Sequence, residues 1–183
     1  MEKTALLIID VQKGLDGPCW GKRNNPQAES NIALLLSAWR KRGLPVIHIR
    51  HCSVAPDSPL RPELPGNAFK EEAQPLPGEI QFSKSVNSAF VGTGLGKYLH
   101  EQRISSLVIG GLTTDHCVSA STRMAADLGF DVTLISDATA TFDRHGHNGI
   151  LYPAEDVHQI HLASLNGEFC VVRSTEEVLR EIA

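Results

Sequence analysis

No two cysteines in this chain are spaced C-x-x-C. The four present, Cys19, Cys52, Cys117 and Cys170, lie far apart, which sets aside zinc-ribbon and thioredoxin-type readings. In a reducing compartment they are expected as thiols rather than disulfides. No apolar run is long enough to cross a bilayer, and no lysine or arginine cluster stands out in a chain of net charge −4. A membrane or nucleic-acid partner is therefore not expected. Residues 1–10 enter a strand-like pattern at once, without a basic segment and cleavable apolar stretch, so a cytoplasmic protein is expected. Repeats and low-complexity tracts are missing. So is G-x-x-x-x-G-K-S/T, and the glycine-rich 92–96 (G-T-G-L-G) lacks the preceding strand that a dinucleotide fingerprint needs.

What is there reads as alternating strand and helix in one domain, 1–183. Residues 4–9 (T-A-L-L-I-I) are continuously apolar, as in a strand covered on both faces. Residues 27–42 carry Ile32, Leu35, Leu36 and Trp39 on one helical face, with a basic end and then Gly43. Further strands are expected at 45–50, 79–83, 106–109, 130–136 and 168–172. Further helices are expected at 92–103 (with Thr93 as cap), 116–128, 154–165 and 175–182. This is an α/β three-layer sandwich with a doubly wound, mostly parallel six-stranded sheet. Two long polar loops, 51–77 and 137–153, exceed ordinary connections. The first is expected as a lid or subunit contact.

Residues 106–122 (S-L-V-I-G-G-L-T-T-D-H-C-V-S-A-S-T) hold the chemistry. A short strand ends on a glycine pair, a polar turn offers N-cap residues, and Cys117 falls in the first turn of a helix. Free amides and the helix dipole there favour thiolate over thiol and could hold an oxyanion. The plain alternative is a small buried hydrophobe. Sites in such sheets form at the carboxyl ends of strands. Asp10 follows the first strand, Lys84 the third and Cys117 the fourth, so all three are expected on one sheet edge. A carboxylate can take the thiol proton and an ammonium can steady the thiolate. Together they describe amide hydrolysis through a thioester. The alternative for Asp10 and Lys84 is an ordinary salt bridge.

Residues 5–12 (A-L-L-I-I-D-V-Q), 82–84 (F-S-K) and 110–118 (G-G-L-T-T-D-H-C-V) resemble the three signature segments of the isochorismatase-like cysteine hydrolases, and the likeness covers nearly the whole chain. The resemblance implies a catalytic triad of Asp10, Lys84 and Cys117 and an oxyanion hole from the amides of Thr113 and Cys117. It also implies a cis peptide at Leu112–Thr113 and a homodimer or homotetramer. Gln12, Trp20, Phe90, Leu112, His116 and Phe142 are the candidate contacts to a small-molecule substrate. The family's metal-dependent nicotinamidases carry Asp-x-His after the second strand. Here 50–56 reads R-H-C-S-V-A-P, so neither metal nor cofactor is expected. His48 and His51 keep a metal-dependent nicotinamidase as one alternative. A non-catalytic or redox-sensing member using the same thiol is another. His158 and His161 share a helical face, expected to serve packing or a subunit contact.

Overall fold

The run T-A-L-L-I-I forms β1 (Lys3–Ile9), whose successive side chains point to opposite faces. Ala5, Leu7 and Ile9 enter one apolar cluster and Leu6 and Ile8 the other. Both faces are covered, so the strand is apolar throughout rather than alternating. The computed structural model describes residues 3–182. The first two residues of the opening segment 1–10, and residue 183 at the end of the 1–183 domain, lie outside the described residues.

The remaining elements are α1 (Ala28–Lys41), β2 (Val46–His51), β3 (Ile80–Lys84), α2 (Leu95–Glu101), β4 (Ile104–Leu112), α3 (Ser119–Asp127), β5 (Asp131–Ala140), β6 (Arg144–His145), β7 (Leu151–Tyr152), α4 (Ala154–Leu165), β8 (Val171–Arg173) and α5 (Thr175–Glu181). Six strands form one sheet in the order β3-β2-β1-β4-β5-β8, every neighbouring pair parallel. α1 lays Ile32, Leu35, Leu36 and Trp39 on one face, joined by Val178 of α5. Leu95 and Leu99 of α2, Ala125 of α3, and Leu162 and Leu165 of α4 cover the other. Removing one such Leu or Ile side chain from water contributes about 1.5–3 kcal/mol. No helix among the described residues is long and apolar enough to cross a membrane.

The structure departs from the sequence reading mostly at element ends. The helix expected over 92–103 is Leu95–Glu101. Thr93 Oγ1 accepts from the Leu95 amide at 3.3 Å, with Gly94 at the N-cap. The last strand is Val171–Arg173. β5 runs four residues past its expected end at 136, because β4 shifts register after Ile109 and then pairs Gly111 and Leu112 with Thr139 and Ala140. Part of the loop 137–153 is therefore strand, and β6 and β7 make an antiparallel hairpin within it. At Gly111 (φ 134°) a Cβ would fall 2.1 Å from Ile9 O, so only glycine lets β4 pass β1 there.

The loop expected as a lid is fastened down. Lys13 N donates to Ala68 O (2.9 Å) and Lys70 N to Val11 O (3.0 Å), binding 51–77 to the loop 11–26. Both loops then meet Glu29 on α1. Arg23 reaches its two carboxylate oxygens at 2.6 Å each. Lys70 Nζ donates to Glu29 Oε1 at 2.6 Å and also to Asp16. Burial pushes the Glu29 carboxyl up, but bonds from Arg23 and Lys70 outweigh it and hold it down to about 2.

Candidate active site

Four strand ends converge here. Asp10 follows β1 at φ 52°, a left-handed conformation that aspartate tolerates better than most residues. Lys84 closes β3. Cys117 sits beyond β4, where residues Thr114–Val118 make a π-helical turn ahead of α3. Lys84 Nζ donates to Asp10 Oδ2 at 2.6 Å and to Cys117 Sγ at 3.2 Å. Asp10 and Lys84 are buried. Asp10 Oδ1 is enclosed and has no hydrogen-bond partner among the described residues. The peptide Leu112–Thr113 is cis, and the Thr113 amide donates to no backbone acceptor among the described residues.

The electrostatics differ from the expected resting thiolate. Burial, with the Asp10 charge adding to it, pushes the Cys117 thiol up to about 12, against the opposing pull of Lys84. Burial also raises the Asp10 carboxyl, and the Lys84 charge and hydrogen bond offset part of that rise. The direction of this shift favours the thiol over the thiolate at Cys117. Thr113, at the N-cap of the turn, makes no side-chain capping bond among the described residues; the Val118 and His116 amides donate to Thr113 O.

A cavity of about 120 Å³ opens over the cysteine. Leu15, Trp20, Leu60 and Leu112 give it an apolar wall, and Asn87, His116 and Arg144 a polar one, above Asp10, His51, Thr113 and Cys117. Trp20 is held by Nε1–H to Gly14 O (2.8 Å) and by stacking on Phe142 at 5.7 Å. Of the six expected substrate contacts, Trp20, Leu112 and His116 line this cavity. Phe142 does not line it; it is buried behind Trp20. Phe90 is corrected too: it stacks on Phe130 at 6.0 Å in the core beside α2. Gln12 is also corrected. It is fully buried, donating through Nε2 to Asn67 O (2.8 Å) and His51 O (3.0 Å), while its Oε1 accepts from His51 N (2.8 Å).

In the sequence Asp115 offers only N-cap chemistry, and Arg144 and Asn87 carry no assigned role. Asp115 accepts from Arg144 Nε at 2.6 Å and Thr141 Oγ1 at 2.5 Å. Burial opposes its ionisation, but these bonds hold its carboxyl below the usual range. Of the two roles expected for His158, packing is the one observed: it is buried and its Nδ1 meets Thr114 Oγ1 at 2.8 Å, tying the turn to α4. In the sequence His51 stands out only as a possible metal ligand, although strand order contains a further signal. β2 lies between β3 and β1, so the residue ending β2 must fall between Lys84 and Asp10.

Asp10, His51 and Cys117 each present a donor atom within 4.8 Å of the others, the geometry of a possible metal site. The Lys84 ammonium already bonds to all three of these side chains. A divalent ion would meet that positive charge at its own ligands, so this donor set does not fit a metal.

An isochorismatase domain model matches residues 4–177. The chain is 46% identical over 180 residues to the uncharacterised isochorismatase family protein YrdC of Bacillus subtilis, covering 98% of this chain and 96% of that one. It is similar to a crystal structure of an isochorismatase-family protein from Chromobacterium violaceum, with TM-score 0.96, 48% identity and coverage of 100% and 94%. It is 27% identical over 197 residues to maleamate amidohydrolase of Pseudomonas putida, covering 98% and 87%. With this sheet, these three signature segments and these relatives, the chain belongs to the isochorismatase family of hydrolases.

Proposed function

We propose that the chain hydrolyses the C–N bond of a small amide or ureido compound through a thioester on Cys117, without a metal. The observation that carries this reading is the single ammonium of Lys84 bonded to both Asp10 and Cys117, beside an Asp10 oxygen that has no partner among the described residues. Asp10 takes the thiol proton as sulfur attacks the carbonyl carbon. The amides of Thr113 and Cys117 receive the oxyanion. Collapse breaks the C–N bond, and Asp10 returns the proton to the departing nitrogen. Water, deprotonated by Asp10, then cleaves the thioester and restores the thiol.

The cavity of about 120 Å³ supports a small-molecule substrate. The amide chemistry named for the maleamate relative supports a C–N bond as the target. Because Cys117 works only as a free thiol, a reducing cytoplasm is part of the reading, and recovery of the enzyme from an oxidising compartment would contradict it. Self-association as a homodimer or homotetramer is also part of it.

The test is ammonia release from a panel of small amides, ureides and N-carbamoyl acids. Cys117→Ala is expected to fold normally and release none, while the wild-type protein shows an acyl adduct on Cys117 by intact mass spectrometry. Full turnover by Cys117→Ala would overturn the mechanism.

A further inference from the structure

Lys84 has a third partner. His51 and Lys84 are register partners on the parallel strands β2 and β3, and Lys84 Nζ lies 3.0 Å from His51 Nδ1. An ammonium only donates, so Nδ1 must present its lone pair and the ring proton must sit on Nε2. Lys84 then spends its three protons on Asp10 Oδ2, Cys117 Sγ and His51 Nδ1. With Lys84 buried, a missing acceptor would leave one N–H unsatisfied, a costly outcome.

We propose that His51 is a positioning residue for Lys84: its unprotonated Nδ1 accepts the third ammonium proton and holds the amine between Asp10 and Cys117. The ring's other nitrogen has no partner among the described residues and is not among the enclosed unpartnered atoms. It stands on the cavity wall as an N–H donor for an acceptor atom of the substrate.

The surroundings favour this neutral form. Burial, then the Lys84 charge, holds the His51 ring down to about 4, so it stays unprotonated at neutral pH. The backbone is fixed independently of the ring. Gln12 bonds both His51 N and His51 O, and Asn67 Nδ2 donates to His51 O at 2.8 Å. The charged and titratable groups around the ring are Asp10 after β1, Lys84 on β3, Cys117 and His116 in the turn after β4, and Arg144 on β6.

The inference rests on the proposed role of Cys117 as nucleophile, but its test needs no turnover. Iodoacetamide alkylation of Cys117 is followed against pH in the wild type, His51→Asn and His51→Leu. Asparagine keeps an acceptor near the Nδ1 position. Leucine fills the space without one. His51→Asn is expected to stay within about threefold of wild type. His51→Leu is expected to alkylate about tenfold more slowly at neutral pH, its profile displaced upward by about one pH unit. A His51→Leu profile that superimposes on wild type overturns the proposal, as does His51→Asn reacting as slowly as His51→Leu. Should the leucine variant fail to fold, ¹⁵N NMR of the wild type decides. A neutral ring protonated on Nε2 supports the inference, and a proton on Nδ1 overturns it. If Cys117→Ala keeps hydrolysing amides while these results hold, the hydrolytic reading fails and the His51 assignment stands.

Discussion

Lys84 Nζ reaches Asp10 Oδ2 at 2.6 Å across the end of β2, the strand that separates β3 from β1. The contact couples a cation to the base as well as to the nucleophile, so the charge on Asp10 and the proton on Cys117 are linked. Removing the Asp10 charge takes away one of the causes that raise the Cys117 thiol, while also removing the group that carries a proton to the leaving nitrogen. Asp10→Asn is therefore expected to split two readouts. Iodoacetamide should alkylate Cys117 several-fold faster at neutral pH, and amide hydrolysis should fall by about 10²–10⁴-fold, the usual worth of a positioned acid–base group. Slower alkylation in this variant would contradict the coupling.

Glu29 is expected to contribute to acid stability. Its usual value of 4.5 falls to about 2 in the folded chain, because bonds from Arg23 and Lys70 outweigh its burial. A depressed carboxyl contributes stability that is present above its unfolded value and lost as pH falls through its folded value. The contribution at neutral pH is at most about 3 kcal/mol. Urea unfolding of Glu29→Gln should show a loss of that order at pH 7, and the gap to wild type should close as the pH drops from 4.5 toward 2. An equal loss at both pH values would mean that packing, not charge, holds the two loops to α1.

Ile150, Leu151, Tyr152 and Ile160 are all exposed, 39–63% of each, on the β6–β7 hairpin and α4. Apolar surface gathered this way marks an interaction face, and a second copy is the partner that the proposed homo-oligomer requires. Light scattering on the wild-type protein is expected to give a dimer or tetramer mass, and Ile160→Lys with Leu151→Lys a monomer mass. A monomeric wild type would refute self-association.

Much of the sheet was legible because β1 is apolar on both faces and α1 shows a clean stripe through Trp39. Strand order placed Asp10, Lys84 and Cys117 on one edge from motif position alone. Three things were not legible. Gln12 reads as a polar residue beside the site, and nothing local says that its amide is consumed by the main chain of residues 51 and 67, 39 and 55 positions away. Phe90 reads as a loop aromatic near Lys84, but its ring turns into the core under Phe130. The continuation of β5 to Ala140 depends on the register shift after Ile109, which follows from how two strands meet and not from the polar sequence D-A-T-A. The thiolate was misjudged for a related reason: a helix-start position is visible in sequence, whereas the burial that outweighs it is not.

Gln12 grips residue 51 through its peptide groups alone. It is therefore indifferent to which side chain residue 51 carries, and the main chain at the end of β2 keeps its place when that side chain changes. The position is separable: the scaffold is built at Gln12, and the tuning of the lysine is left to a ring that can be exchanged without disturbing it.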